Sequence, residues 1–242
     1  IPEKVRLLRA CARSVVEEAE AWVRSGHRAK GLPEGSGEEW LTGPIPTLRN
    51  LRLLIDTLER LDRGKATMAP GRVDTRPDGR VTVKVFPTDG IDAALFAGIE
   101  IHQLMLPGAS EKDVIEQAGR IYHQGTEGGL TVVLGAGNVS SIPPMDAVYA
   151  SFAEGRVAVV KMNPVNEWAG PHLERALAPL IDAGVLRIAY GGAEAGAYLV
   201  EHEAVDDVHI TGSNHTHDRI VWGPPGPERE RRKRDNDPRL KK

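Results

Sequence analysis

Between Thr131 and Trp222 the chain alternates short apolar runs with amphipathic stretches four times over. The runs at residues 131–134, 156–161, 185–190 and 207–211 have the length and β-branched content of buried strands. The stretches between them carry helical spacing, so the pattern predicts an α/β fold, a parallel sheet with crossover helices. Upstream the periodicity changes. Residues 3–24 place Val5, Leu8, Ala12, Val15, Val16 and Ala19 on one helical face, and residues 48–61 repeat Leu51, Leu54, Ile55, Leu58 and Leu61 at the same spacing. Residues 80–86 alternate Val81, Val83 and Val85 with Arg80, Thr82 and Lys84, the period of a half-exposed strand. Residues 99–106 predict a second strand beside it, and residues 111–122 a helix with Ser110 as its cap.

These elements divide the chain into an amino-terminal helical region at 1–78, a strand pair with a helix at 79–130, a Rossmann-like region at 131–227 and a charged tail at 228–242. The tail interleaves Arg229, Arg231, Arg232, Lys233 and Arg234 with Glu228, Glu230, Asp235 and Asp237, which reads as a solvated linker or exposed helix. It lacks the neighbouring aromatics and net basic charge of a nucleic-acid surface. With 242 residues, 40% hydrophobic and 27% charged, and a formal net charge of −3, the composition is that of a soluble globular protein with a substantial core. There is neither a membrane-length apolar run nor a secretory signal pattern at the start, so the expected location is the cytoplasm. A single cysteine, Cys11, excludes an internal disulfide framework, and its place inside the first helix predicts a buried side chain. A chain that opens on Ile1 and stops at Lys241-Lys242 without a closing element is expected to be a fragment of a longer protein.

Candidate chemistry gathers at the strand ends, where open α/β sheets bind their ligands. The first turn is Gly135-Ala136-Gly137-Asn138, the third Gly191-Gly192-Ala193-Glu194 and the fourth Thr211-Gly212-Ser213-Asn214. The second strand closes on Lys161, followed by Asn163-Pro164, where a common dinucleotide fold carries an acidic residue. An ammonium there suits ribose hydroxyls or a phosphate. Thr211-Gly212-Ser213 opens a helix, whose amino-terminal N–H groups favour an anion, although Ser213 also fits a simple N-cap. His209, His215, His217 and Asp218 lie close together, but two histidines two residues apart on a helix start diverge, and no metal site is expected.

In order and spacing, Val159-Val160-Lys161 with Asn163-Pro164, the Ala183-Gly184 helix end, Gly191-Gly192 and Ile210-Thr211-Gly212-Ser213 resemble the cofactor-binding part of the aldehyde dehydrogenase superfamily. The resemblance implies an NAD(P)-dependent oxidoreductase acting on aldehydes. It assigns cofactor binding to Lys161, Asn163, Glu167, Gly192, Thr211, Gly212 and Ser213, and oxyanion stabilisation to Asn138. NAD and NADP stay open, because Pro164 stands where the family's ribose-binding glutamate falls and Glu167 lies three residues later. Gly137 replaces an aromatic, Ser140-Ser141 replace bulky and proline residues, and His217 replaces a glycine. The Gly-Asn-Val core also resembles acyl-CoA reductases of the superfamily, and a non-catalytic nucleotide-binding or assembly module is a further alternative. The family's catalytic cysteine and glutamate have no counterpart in this sequence, so the chain alone is expected to be inactive. The strand pair is similar to the family's subunit-contact element, which implies a homodimer or higher homo-oligomer.

Overall fold

All four apolar runs form strands. The computed structural model describes residues 1–67 and 71–240; residues 68–70, inside the expected amino-terminal region, and Lys241-Lys242 of the tail lie outside the described residues. In chain order the elements are α1 (Pro2–Lys30), α2 (Glu38–Thr42), α3 (Pro44–Asp62), β1 (Val73–Thr75), β2 (Val81–Phe86), α4 (Gly90–Leu95), β3 (Ile101–Leu104), α5 (Glu111–Gln117), α6 (Arg120–Gln124) and β4 (Leu130–Leu134). They continue with α7 (Ile142–Phe152), β5 (Val157–Lys161), a 3₁₀ turn (Pro164–Ala169), α8 (Gly170–Ala176), α9 (Ala178–Asp182), β6 (Leu186–Ala189), α10 (Ala193–Glu201), β7 (Asp207–Ile210), α11 (Asn214–Val221) and α12 (Pro227–Asp235). Two compact units result: Asp56–Gly125 with Ile1, and Pro2–Ile55 together with the chain from Thr126 onward.

The larger unit is built on a four-stranded parallel sheet in the order β6-β5-β4-β7. Its register is level at the carboxyl edge: Leu134 pairs with Lys161 and with Ile210, and Lys161 pairs with Ala189. All four following turns therefore leave the sheet at one height. The chain steps outward from β4 to β6 and then returns to the far side of β4 as β7. This reversal is the topological switch point, and right-handed crossovers put α7 and α10 on opposite faces there. Val132, Val133, Ala158 and Val160 are buried as the apolar centre of the sheet. Against one side pack α8, α9 and the 3₁₀ turn, and α1 lies over these, with Leu8, Cys11, Val15 and Trp22 fully buried.

A polar tie reinforces that packing. Glu18 of α1 accepts two hydrogen bonds from Arg175, at 2.9 and 2.6 Å, and lies 2.5 Å from Nδ1 of His172 on α8. The arginine's paired hydrogen bonds hold the Glu18 carboxyl below its ordinary pKa, with His172 adding to the effect and burial opposing it.

In the smaller unit the expected strand pair is the centre and edge of a three-stranded antiparallel sheet, β1-β2-β3. The short β1 was not legible because three residues show no period. The expected helix at 111–122 is two helices. Ser110 does cap α5, in a reciprocal capping box with Asp113, but Ala118 is extended and Gly119 takes φ 72°, and α6 restarts after it. A left-handed glycine ends a helix irrespective of the apolar spacing that runs through it.

Candidate functional site

The level register delivers the sequence-predicted residues to one place. A cavity of about 1090 Å³ lies at the carboxyl edge of the parallel sheet, and its walls include Asn138, Lys161, Asn163, Gly192, Thr211, Gly212 and Ser213. Glu167 is not brought to it: its carboxylate accepts the Gly191 N–H at 2.9 Å and so braces the turn after β6. Gly196, Ala197 and Val200 of α10 face Thr216 and Ile220 of α11 across the cavity, forming an apolar slot between the helices. The amino terminus of α10 has no side-chain cap, whereas Ser213 caps α11 by accepting the Thr216 N–H at 3.3 Å. The simple N-cap reading of Ser213 is thus realised even though the residue also lines the cavity.

The cavity's charge is predominantly cationic. Its charged lining residues are Lys161, Arg219, Arg239 and Glu201, and Glu201 is ion-paired with Arg239. Lys161 is buried and makes no side-chain hydrogen bond or ion pair with the described residues. Burial pulls its ammonium below the ordinary lysine value, and the Glu167 carboxylate draws it partly back. A sequestered ammonium with no hydrogen bond or ion pair among the described residues is poised for an anionic or hydroxyl-bearing ligand. Asn138 is exposed to the cavity, and its amide likewise has no protein partner among the described residues.

The sequence departures have local explanations. Gly137 is packed against the Asn163 side chain, which itself accepts the Val165 N–H at 3.1 Å. Ser140 belongs to a buried network: Trp22 Nε1 donates to its hydroxyl at 3.0 Å, and the hydroxyl donates to Glu39. Glu39 is fully buried and pairs with Lys30 Nζ at 2.6 Å, while Ser141 N–H donates to the Thr42 carbonyl at 3.0 Å. The two serines thereby dock α1 and α2 onto the turn that carries Asn138. His217 projects outside the cavity, 3.3 Å from Asp218.

Two features escaped sequence reasoning. The segment after α12 folds back: Arg239 N–H donates to the Val221 carbonyl at 2.7 Å, and Pro224, Arg239 and Leu240 become part of the cavity wall. Their signal was hidden in a tail whose composition reads as solvated, as α12 itself is, with Arg231 bridging Glu228 and Asp235. The second is Asp146 on α7, whose Oδ2 accepts from Thr211 Oγ1 at 3.1 Å and lies 3.3 Å from His209 Nε2. Burial raises its carboxyl pKa, while His209 and Thr211 oppose the shift. No grouping of three or more potential metal-ligating side chains occurs among the described residues. Cys11 is remote from these walls and fully buried, and burial pushes its thiol up to about 12. It stays a thiol at neutral pH and is a poor nucleophile.

A parallel sheet with its cavity at the switch point, a lysine closing the second strand and a Thr-Gly-Ser turn after the fourth define a Rossmann-like α/β class of fold. The model of the aldehyde dehydrogenase family matches residues 103–223, half of the chain, and the protein belongs to that family. A search of curated proteins finds no significant match. Among the described residues no helix is long and apolar enough to cross a membrane.

Proposed function

We propose that this chain is the nicotinamide-cofactor-binding part of an NAD(P)-dependent oxidoreductase acting on aldehydes. The observation that carries the reading is Lys161, whose ammonium makes no hydrogen bond or ion pair with the described residues, at the head of a glycine-lined, cationic cavity flanked by the starts of α10 and α11. The donor set suits a dinucleotide. Lys161 offers charge-assisted hydrogen bonds to ribose or phosphate oxygens, and the helix starts favour the pyrophosphate. The apolar slot formed by Gly196, Ala197, Val200 and Ile220 accommodates a flat base, and the absence of a side chain at Gly192 and Gly212 leaves room beside it. When bound, the nicotinamide supplies a hydride acceptor. Asn138 serves as the amide donor to the carbonyl oxygen on which charge develops.

With Cys11 held as a buried thiol, the nucleophile of the family's chemistry comes from elsewhere in the complete protein. The chain alone is accordingly inactive. The test compares the 242-residue chain, its Cys11→Ser variant and the complete protein on aldehydes and acyl thioesters, following reduced-nicotinamide absorbance. Turnover only by the complete protein, with kcat falling about 10²–10³-fold in Asn138→Ala and cofactor affinity little changed, supports the assignment. Cys11-dependent turnover by the short chain contradicts it. Activity confined to thioesters moves the reading to an acyl reductase, and no turnover by the complete protein points to a nucleotide-binding module.

A further inference from the structure

The turn that carries Asn138 is fastened on both sides of that residue. Before it, Gly135 N–H donates to the Lys161 carbonyl at 3.0 Å, and the Ala136 carbonyl accepts from the buried Asn166 amide at 3.1 Å. After it, the Ser140 hydroxyl accepts from Trp22 Nε1 at 3.0 Å and donates to Glu39, and Ser141 N–H donates to the Thr42 carbonyl at 3.0 Å. Trp22, Glu39, Ser140 and Ser141 are all buried. Asn138, between the two sets of ties, is exposed to the cavity, and its amide has no protein partner among the described residues. Its direction is therefore set by the backbone on either side of it.

The second set of ties is built around a carboxylate for which two glycines leave room. A β-carbon at Gly26 of α1 would stand 2.6 Å from Cγ of Glu39, and one at Gly43 would stand 3.0 Å from Ser140 Oγ. Glu39 reaches Ser140 with one oxygen, while the other meets Lys30 Nζ at 2.6 Å. A buried ion pair commonly adds no more stability than packed apolar groups of the same volume, so holding α1 and α2 in place does not by itself account for a charge here. Fixing a hydroxyl does. The Ser140 proton goes to Glu39 and a lone pair faces the Trp22 N–H, which leaves the side chain one orientation in a satisfied network. We infer that Ser140 is a positioning residue: gripped by Trp22 and Glu39, it fixes the backbone from which Asn138 enters the cavity and so aims the Asn138 amide at the substrate's carbonyl oxygen. This inference rests on the proposed role of Asn138 as the amide donor and deepens it. Such a donor acts only within hydrogen-bond reach of the place where the oxyanion forms, and a small displacement is costly.

The experiment follows reduced-nicotinamide absorbance in the complete protein, with hexanal and hexanoyl-CoA as probes, and measures NAD and NADP affinity by calorimetry alongside. Ser140→Ala should lower kcat and kcat/KM together by about ten- to a hundredfold, the range for a displaced catalytic group, with cofactor affinity changed by less than about twofold. In an Asn138→Ala background the same substitution should change kcat by less than about twofold, because the donor it aims is gone. Trp22→Phe keeps a packed ring without the N–H, and should give a smaller loss that likewise vanishes without Asn138. Melting temperatures separate loss of fold from loss of rate, and Trp22→Phe decides the matter if Ser140→Ala does not fold. An unchanged kcat in the folded deciding variant, or an equal loss with and without Asn138, overturns the inference and leaves the cofactor-binding reading intact. Turnover of neither probe by the folded complete protein removes the role of Asn138 and the inference with it.

Discussion

A β-carbon built on Gly137 would stand 2.9 Å from Cγ of Asn163 and 3.0 Å from both of its terminal atoms. The two residues close the first and second turns of the parallel sheet, and each occupies the space a larger partner would need. The side chain of Asn163 is tied to its own turn by the bond from Val165 N–H, so it cannot yield cheaply. Gly137→Ala should therefore cost about 1–3 kcal/mol as an overpacking change, and Asn163→Ala should remove most of that cost. Urea unfolding of the two single variants and the double checks the coupling; additive effects would show that the contact does not constrain the turn.

The Glu18 cluster gives a pH dependence with a definite sign. Because Arg175 holds the folded-state pKa of Glu18 below its ordinary value of 4.5, the tie stabilises the fold fully above that value and is lost as pH falls through the lower, folded one. Glu18→Gln should cost about 1–2 kcal/mol at neutral pH, the scale of hydrogen bonds to a charged group with one partner part-exposed. Denaturant midpoints for wild type and Glu18→Gln should converge as pH falls below 4.5 and through the lower, folded-state value. A gap that stays constant across that range would contradict the role given to the charge.

Assembly is the third expectation. The edge strand β3 is exposed along its whole length, and Ile101, Leu104 and Leu106 present apolar side chains to solvent. An open apolar edge calls for cover, and a second copy of the chain is the simplest. Sedimentation of the complete protein should show a homodimer or larger species that Leu104→Lys weakens. A stable monomer across micromolar concentrations would remove this expectation.

The parallel sheet was legible because each strand is a buried apolar run ended by a glycine, asparagine or lysine-bearing turn. Lys161 and the Thr211–Ser213 turn were legible for the same reason, since the chemistry follows directly on the strand. What stayed hidden depends on distant pairs. The docking of Ser140 with Trp22 and Glu39 joins residues more than a hundred positions apart, and nothing in a serine announces such a partner. Glu167 shows the converse: it lies close to Lys161 in sequence, but its carboxylate is taken by the Gly191 N–H. Asp146 likewise meets its partners Thr211 and His209 across more than sixty positions of chain, and no motif around it marks that contact.

The central claim is that the cavity headed by Lys161 holds a nicotinamide dinucleotide, and calorimetric titration of the folded chain with NAD and NADP tests it most directly. The account predicts saturable one-to-one binding of at least one cofactor, weakened by about 1–3 kcal/mol in Lys161→Ala through the loss of a charged hydrogen bond. Failure of a correctly folded wild-type chain to bind either cofactor, or binding that Lys161→Ala leaves unchanged, would contradict it.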